Sequence, residues 1–113
     1  MVAVAANFAA PAQRIAAAFE QTTGRTTRLA IGSTGRFHAQ IRQGAPFQVL
    51  LAADQKTPSQ LESEGLAAPG TRFTYAIGRL VLWSADAGMV DDGGDVLRQD
   101  RIRRLAVADP RVA

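Results

Sequence analysis

Short apolar runs alternate with segments of helical periodicity along most of this chain. Val2-Ala3-Val4-Ala5-Ala6 is apolar at every position, the pattern of a strand covered on both faces. Asn7-Phe8-Ala9-Ala10-Pro11 follows, with Asn7 suited to cap a helix and Pro11 to a first helical turn. Ala12, Ile15, Ala16 and Phe19 then recur at helical spacing, and Gly24 sits where a helix would end. The unit repeats. Thr26 to Ile31 predicts a second strand, Gly32-Ser33-Thr34-Gly35 a small polar turn, and Phe37, Gln40 and Ile41 a helical stripe closed by Gly44 and Pro46. Phe47 to Ala53 is a third apolar strand, and Pro58-Ser59 opens a short helix through Leu61 and Glu64.

The second part of the chain is less regular. Phe73 to Trp83 predicts a long extended segment, with Gly78 marking a bend or a close backbone approach. Asp86 to Gly94 reads as loop, Val96 to Arg101 as a short helix, and Leu105 to Asp109 as a further buried strand. Strands alternating with helices predict an α/β fold, a mostly parallel sheet with helices on both faces. Met1 leads straight into the first strand, so no leader peptide is expected within these residues.

Composition narrows the chemistry. The chain has 113 residues, no Cys and one His, which excludes disulfides, thiolate metal sites and a Cys nucleophile. A net charge of +3 comes from scattered Arg residues. The one dense cluster, Arg98, Arg101, Arg103 and Arg104, follows the acidic run Asp91, Asp92 and Asp95. A phosphate-binding surface would gather its charge on one face, so no nucleic-acid partner is expected. His38 has no carboxylate or hydroxyl on its own helical stripe and reads as a surface helix residue. Glu62 and Glu64 lie two apart and do not share a helix face. Ser33 has no recognisable base, and its turn is neither a nucleophile elbow nor a P-loop. No enzyme activity is expected. Phe37 and Trp83 read as core or hinge packing.

The turns after the first two strands are the informative positions. Ligands in open parallel sheets bind beyond the C-terminal ends of the strands. Asn7 and the Ser33-Thr34 pair fall there, each beside a helix start, where free backbone N–H groups and the helix dipole favour an anion. Gly32 and Gly35 would let backbone approach closely. Two readings stand side by side: a site for a small anion held by neutral donors, and ordinary N-caps.

The strings Val-Ala-Val-Ala-Ala-Asn-Phe at 2–8, Gly-Ser-Thr-Gly-Arg-Phe at 32–37, Gly-Ala-Pro-Phe-Gln-Val-Leu-Leu-Ala-Ala-Asp at 44–54 and Phe-Thr-Tyr-Ala-Ile-Gly-Arg-Leu-Val-Leu-Trp-Ser at 73–84 together resemble the molybdate-binding proteins of molybdate ABC transporters. The resemblance covers Val2 to Ala113. It implies a type II periplasmic binding protein that captures molybdate or tungstate between two lobes, without a cofactor, and delivers it to a membrane permease. It implies oxyanion ligands at Asn7 and Thr34, with Ser33 serving if the turn is shifted by one. Members are about twice this length. The expected layout is therefore a first lobe at 1–79 with half of the oxyanion site, then the crossover and the start of a second lobe at 80–113. That start would leave apolar surface uncovered, so self-association is expected. The alternatives are an anion-sensing regulatory domain on the same fold and a binding protein for sulfate or another oxyanion.

Overall fold

In the computed structural model, which describes residues 1–107, the apolar run Val2–Ala5 forms β1, the middle strand of a three-stranded parallel sheet. Its neighbours are β2 (Leu29–Gly32) and β3 (Val49–Leu51). Ala3 and Val4 are fully buried and Ala5 nearly so. Successive strand side chains point to opposite faces, so burial of consecutive residues means that both faces of β1 are covered. That is why the run carries no polar position.

The register aligns the strand ends. Ala5 pairs with Gly32, and Val4 pairs with both Ile31 and Leu51. Helix α1 (Ala9–Thr23) connects β1 to β2, and α2 (Thr34–Arg42) connects β2 to β3. The first connection steps from β1 to one side and the second steps back across it. Right-handed crossovers in opposite directions put α1 and α2 on opposite faces of the sheet. The α/β class and the parallel sheet expected from the pattern are both present.

Local chemistry fixes where the helices begin and end. Gly24 stops α1 in the left-handed conformation, φ 69°, and its N–H donates to the Glu20 carbonyl at 2.8 Å. Gly32 is needed for a different reason. A Cβ there would meet the Phe37 ring at 3.0 Å, so α2 packs onto bare strand backbone. Phe37 is buried and meets Phe47 edge to face, with ring centroids 5.3 Å apart. Helix α3 (Lys56–Ser63) begins where the Asp54 carboxylate accepts from the Thr57 N–H at 2.6 Å, and it buries Leu61.

Several expected elements are shorter or absent. The second strand begins at Leu29 rather than Thr26, and the third is confined to Val49–Leu51. Both trim to the length of their partner, because β1 offers only four residues to pair with. The chain divides into two compact units, Met1–Thr74 and a smaller one that begins at Tyr75. From 71 to 84 the backbone makes no helix, turn or bend and joins no sheet. The expected extended segment thus joins no sheet among the described residues. Trp83 is 78% exposed, which corrects its reading as core packing.

In the second unit, the segment expected to be loop contains a 3-10 turn at Ala87–Met89, capped by Asp86. The expected helix from Val96 is a 3-10 turn over Asp95–Arg98, held by the Asp91 carboxylate, which accepts from the N–H groups of Asp95 and Val96. Of the expected strand Leu105 to Asp109, residues 105–107 form no strand, and the last two lie outside the described residues.

Two measurements check the packing and the electrostatics of the first unit. Leu61→Ala removes a buried side chain and is expected to cost about 2–5 kcal/mol in urea unfolding, whereas Ile15→Ala, at an exposed α1 position, should cost within about 0.5 kcal/mol. The Glu62 carboxylate accepts from the Gly70 N–H at 2.6 Å and faces Arg72 at 3.4 Å; that backbone bond and the Arg72 partner hold its pKa below the usual range. A depressed carboxylate pKa stabilises the fold above its unfolded pKa, and the contribution disappears as pH falls through the folded value. Glu62→Gln should therefore flatten the acid limb of a melting-temperature profile and leave a smaller drop than wild type.

Candidate functional site

The strand order β2-β1-β3 makes the two connections diverge from the central strand. In open parallel sheets ligands bind at the C-terminal edge where such connections diverge to opposite faces, a point that falls here beside the end of β1. Three short segments leave the strands at this edge: Ala6-Asn7-Phe8 after β1, Ser33-Thr34 after β2, and Ala52-Ala53-Asp54 after β3. The pairing of Ala5 with Gly32 puts Asn7 and Thr34 at the same depth, each two residues beyond the paired position.

Thr34 ties the edge together. Its Oγ1 accepts a hydrogen bond from the Ala53 N–H at 3.0 Å. Because β2 and β3 flank β1, roughly two strand spacings or about 10 Å apart, this bond brings the segments after the two outer strands together across the end of the central one. Thr34 is the buried polar residue of the core, 5% exposed. Its hydroxyl uses a lone pair on Ala53 and keeps its hydrogen to donate.

Ser33 is the N-cap of α2, and its Oγ accepts from the Arg36 N–H at 3.3 Å. This hydroxyl too keeps its hydrogen. Asn7 behaves differently from the cap reading. It sits in a 3-10 turn, Ala6–Phe8, that precedes α1, and α1 is entered through Phe8 without any side-chain cap. The Asn7 side chain is exposed and makes no hydrogen bond among the described residues. The turn displaces the helix cap by one residue, from Asn7 to Phe8, which the Asn-to-Pro11 spacing did not reveal. Of the two readings, capping holds for Ser33 and fails for Asn7.

The electrostatics of the edge suit an anion. No acidic residue lies in the first turn of α1 or of α2. The helix starts therefore present N–H groups and the positive dipole end without a competing carboxylate. Gly35 has no heavy atom within 4 Å of where a Cβ would stand, so the start of α2 is open on that side. At Gly32 the space a Cβ would take is filled by the Phe37 ring. Among the described residues no three His, Asp or Glu side chains gather into a metal-binding group.

His38 lies away from this edge, between α2 and the end of α3. Its Nε2 is buried without a hydrogen-bond partner, 3.8 Å from Glu64 Oε2. Arg42 reaches the same oxygen at 3.5 Å, and Gln60 donates to Glu64 Oε1 at 3.0 Å. This cluster fixes α2 against α3 and so helps hold the helix whose first residue is Thr34. It corrects the view of His38 as a surface residue. Neither it nor the Ala53 N–H carries a signal in local spacing, because Thr34 and Ala53 are 19 residues apart.

Comparisons with known proteins agree over the whole chain. The family model of bacterial extracellular solute-binding proteins matches residues 1–113. The chain is 54% identical over 112 residues to the molybdate-binding protein ModA of Azotobacter vinelandii, covering 99% of this chain and 44% of that protein. It is 52% identical over 113 residues to the molybdate-binding protein ModA of Rhodobacter capsulatus, covering 100% of this chain and 44% of that one. The solved structure of the Azotobacter vinelandii periplasmic molybdate-binding protein superposes with a TM-score of 0.89 at 44% identity, over 98% of this chain and 48% of that chain. The chain thus spans somewhat under half the length of the curated relatives it matches.

The edge can be probed by stability alone. Thr34→Val leaves the partly buried Ala53 N–H without an acceptor and should cost about 1–3 kcal/mol. Thr34→Ser keeps the acceptor and should recover most of the loss. Ser33→Ala removes the α2 cap and should cost about 0.5–2 kcal/mol. Urea unfolding of the three variants checks the order; equal stability of Thr34→Val and wild type would remove Thr34 from its tying role.

Proposed function

The chain belongs to the bacterial extracellular solute-binding protein family, and from that premise we propose that it binds a tetrahedral oxyanion, molybdate or tungstate. The ligands in this reading are Asn7, Ser33 and Thr34, with backbone N–H groups at the adjoining helix starts. The observation that carries it is the identity above 50%, over essentially all of this chain, to two proteins named for molybdate binding. The geometry supports it independently. Two hydroxyls have their acceptor sides occupied and their hydrogens free, an unbonded amide stands at equal depth, and the first turns of α1 and α2 carry no carboxylate.

A dianion is held here by neutral donors rather than by counter-charges. Each donor contributes a charge-assisted hydrogen bond, and the helix dipoles add a fixed favourable potential. The function is capture and release without catalysis. In a protein of the relatives' length, residues 1–79 would supply one lobe and half of the anion's donors, and residues 80–113 would lead into a second lobe with the remainder. Such a protein would work in the periplasm and hand its anion to the permease of an ABC transporter.

Half a donor set facing water binds weakly, because hydrogen bonds to solvated anions gain little net free energy. The 113-residue chain is therefore expected to bind molybdate and tungstate with millimolar affinity. At ten times the dissociation constant, stabilisation is about 1.4 kcal/mol, which corresponds to a rise in melting temperature of roughly 4–8 °C. Asn7→Ala should abolish that rise without lowering the melting temperature of the free protein, since the side chain is exposed and unbonded. The check is a thermal-shift series with molybdate, tungstate, sulfate and phosphate at constant ionic strength. The absence of a shift with all four would remove the site from this chain, and a larger shift with sulfate than with molybdate would reassign the ligand.

A further inference from the structure

We propose that Glu64 is a positioning residue for Thr34 and, on the anion-binding reading from which this follows, for the bound anion. Its carboxylate grips α2 one and two turns beyond Thr34 and so fixes the roll of the helix that carries the hydroxyl. Thr34, His38 and Arg42 stand four residues apart in turn, and side chains at that spacing lie one above the other along a helix. Thr34 Oγ1 accepts from the Ala53 N–H at 3.0 Å, while His38 Nε2 and Arg42 Nε face Glu64 Oε2 at 3.8 and 3.5 Å. Ala53 lies just before α3 and Glu64 is the C-cap of α3. One stretch of chain therefore holds α2 at both ends.

Neither end alone sets the direction of the hydroxyl. The bond at Thr34 is a single point about which α2 can turn. Phe37 presses α2 onto the bare backbone of Gly32, which fixes its height above the sheet. His38 follows Phe37 and stands about 100° further round the helix, where it meets the end of α3 rather than the sheet. The grip on His38 and Arg42 lies about 6 and 12 Å along the axis from Thr34. A second attachment at that distance removes the rotation that the first one leaves.

The carboxylate is itself oriented. Gln60, one turn before Glu64, donates to Oε1 at 3.0 Å and leaves Oε2 to face α2. The side chains of His38 and Glu64 are 19% and 27% exposed, so solvent screens their attraction only in part. The grip also has slack. His38 Nε2 is buried and has no hydrogen-bond partner. A shift of about 0.6 Å would bring it within the 3.2 Å limit of a hydrogen bond to Oε2. The His38 ring therefore responds to small movements of α2.

NMR of the 113-residue chain tests the role of Glu64. In Glu64→Gln the Ala53 amide proton should move upfield, as a lengthened hydrogen bond requires. In Thr34→Val the ring signals of His38, the chain's single His, should move in return. Glu62→Gln should move neither, because that carboxylate binds Gly70 and Arg72 instead. In urea unfolding, the double variant of Glu64→Gln and Thr34→Val should lose less in midpoint than the two single losses together, although no hydrogen bond or ion pair joins the two residues. The ligand arm is an NMR titration with sodium molybdate at constant ionic strength. Removing a negative charge would by itself strengthen anion binding, so position and charge predict opposite signs. Glu64→Gln should weaken molybdate binding roughly two- to thirtyfold, the range for residues that act on a site without touching its ligand. An unmoved Ala53 amide, additive midpoints, or molybdate binding by Glu64→Gln as tight as wild type or tighter would each overturn the proposal. A wild-type chain that molybdate does not perturb would overturn the anion reading alone, and the amide and midpoint results decide the role of Glu64 without it.

Discussion

The bond from the Ala53 N–H to Thr34 Oγ1 is the constraint on which the arrangement of the sheet edge depends. Backbone ladders align β1 with β2 and with β3 but say nothing of how the two outer strands continue. The side chain of Thr34 supplies that link by reaching a backbone donor beyond β3. A buried hydroxyl must satisfy its polar atoms, so the bond is enforced by burial as much as by its own strength. Much else follows from bringing α2 this close. Gly32 must lack a Cβ because the Phe37 ring occupies that space, and Phe47 closes on Phe37 from the segment before β3.

How far the fold was legible depended on whether local periodicity or tertiary pairing decided each element. The three helices of the first unit and the parallel sheet were readable from apolar runs, helical stripes and Gly24, because each of these signals is written in adjacent residues. Strand lengths were not. Thr26 to Arg28 has strand-like composition, yet the ladder with β1 starts at Leu29, and Arg28 contributes only its carbonyl, which accepts from the Val2 N–H. The segment 73–83 has a strong strand pattern, and it forms no strand of the sheet, since a strand needs a neighbour and not only a pattern.

The site was legible in outline for the same reason and obscure in detail for the opposite one. Asn7, Ser33 and Thr34 follow strand ends and precede helices, an order visible in one dimension. Whether Asn7 caps or stands free was decided by a 3-10 turn at Ala6–Phe8, and a one-residue shift of that kind leaves no compositional mark. The Thr34–Ala53 bond and the His38–Glu64–Arg42 cluster join residues distant in sequence, and only the folded chain brings them together.

The contrast between Asn7 and the two hydroxyls has a consequence in entropy. Ser33 and Thr34 are already held in one rotamer each by bonds within the protein, so little motion remains to be lost when anything docks against them. Asn7 keeps its freedom until a partner arrives. Ordering one such side chain costs about 0.5–1.5 kcal/mol, and at this edge that cost falls on one residue of the three. The edge is therefore a rigid cradle with one moving finger. On the proposed anion-binding reading, residence time is set at position 7 while the scaffold that supports it stays as it is.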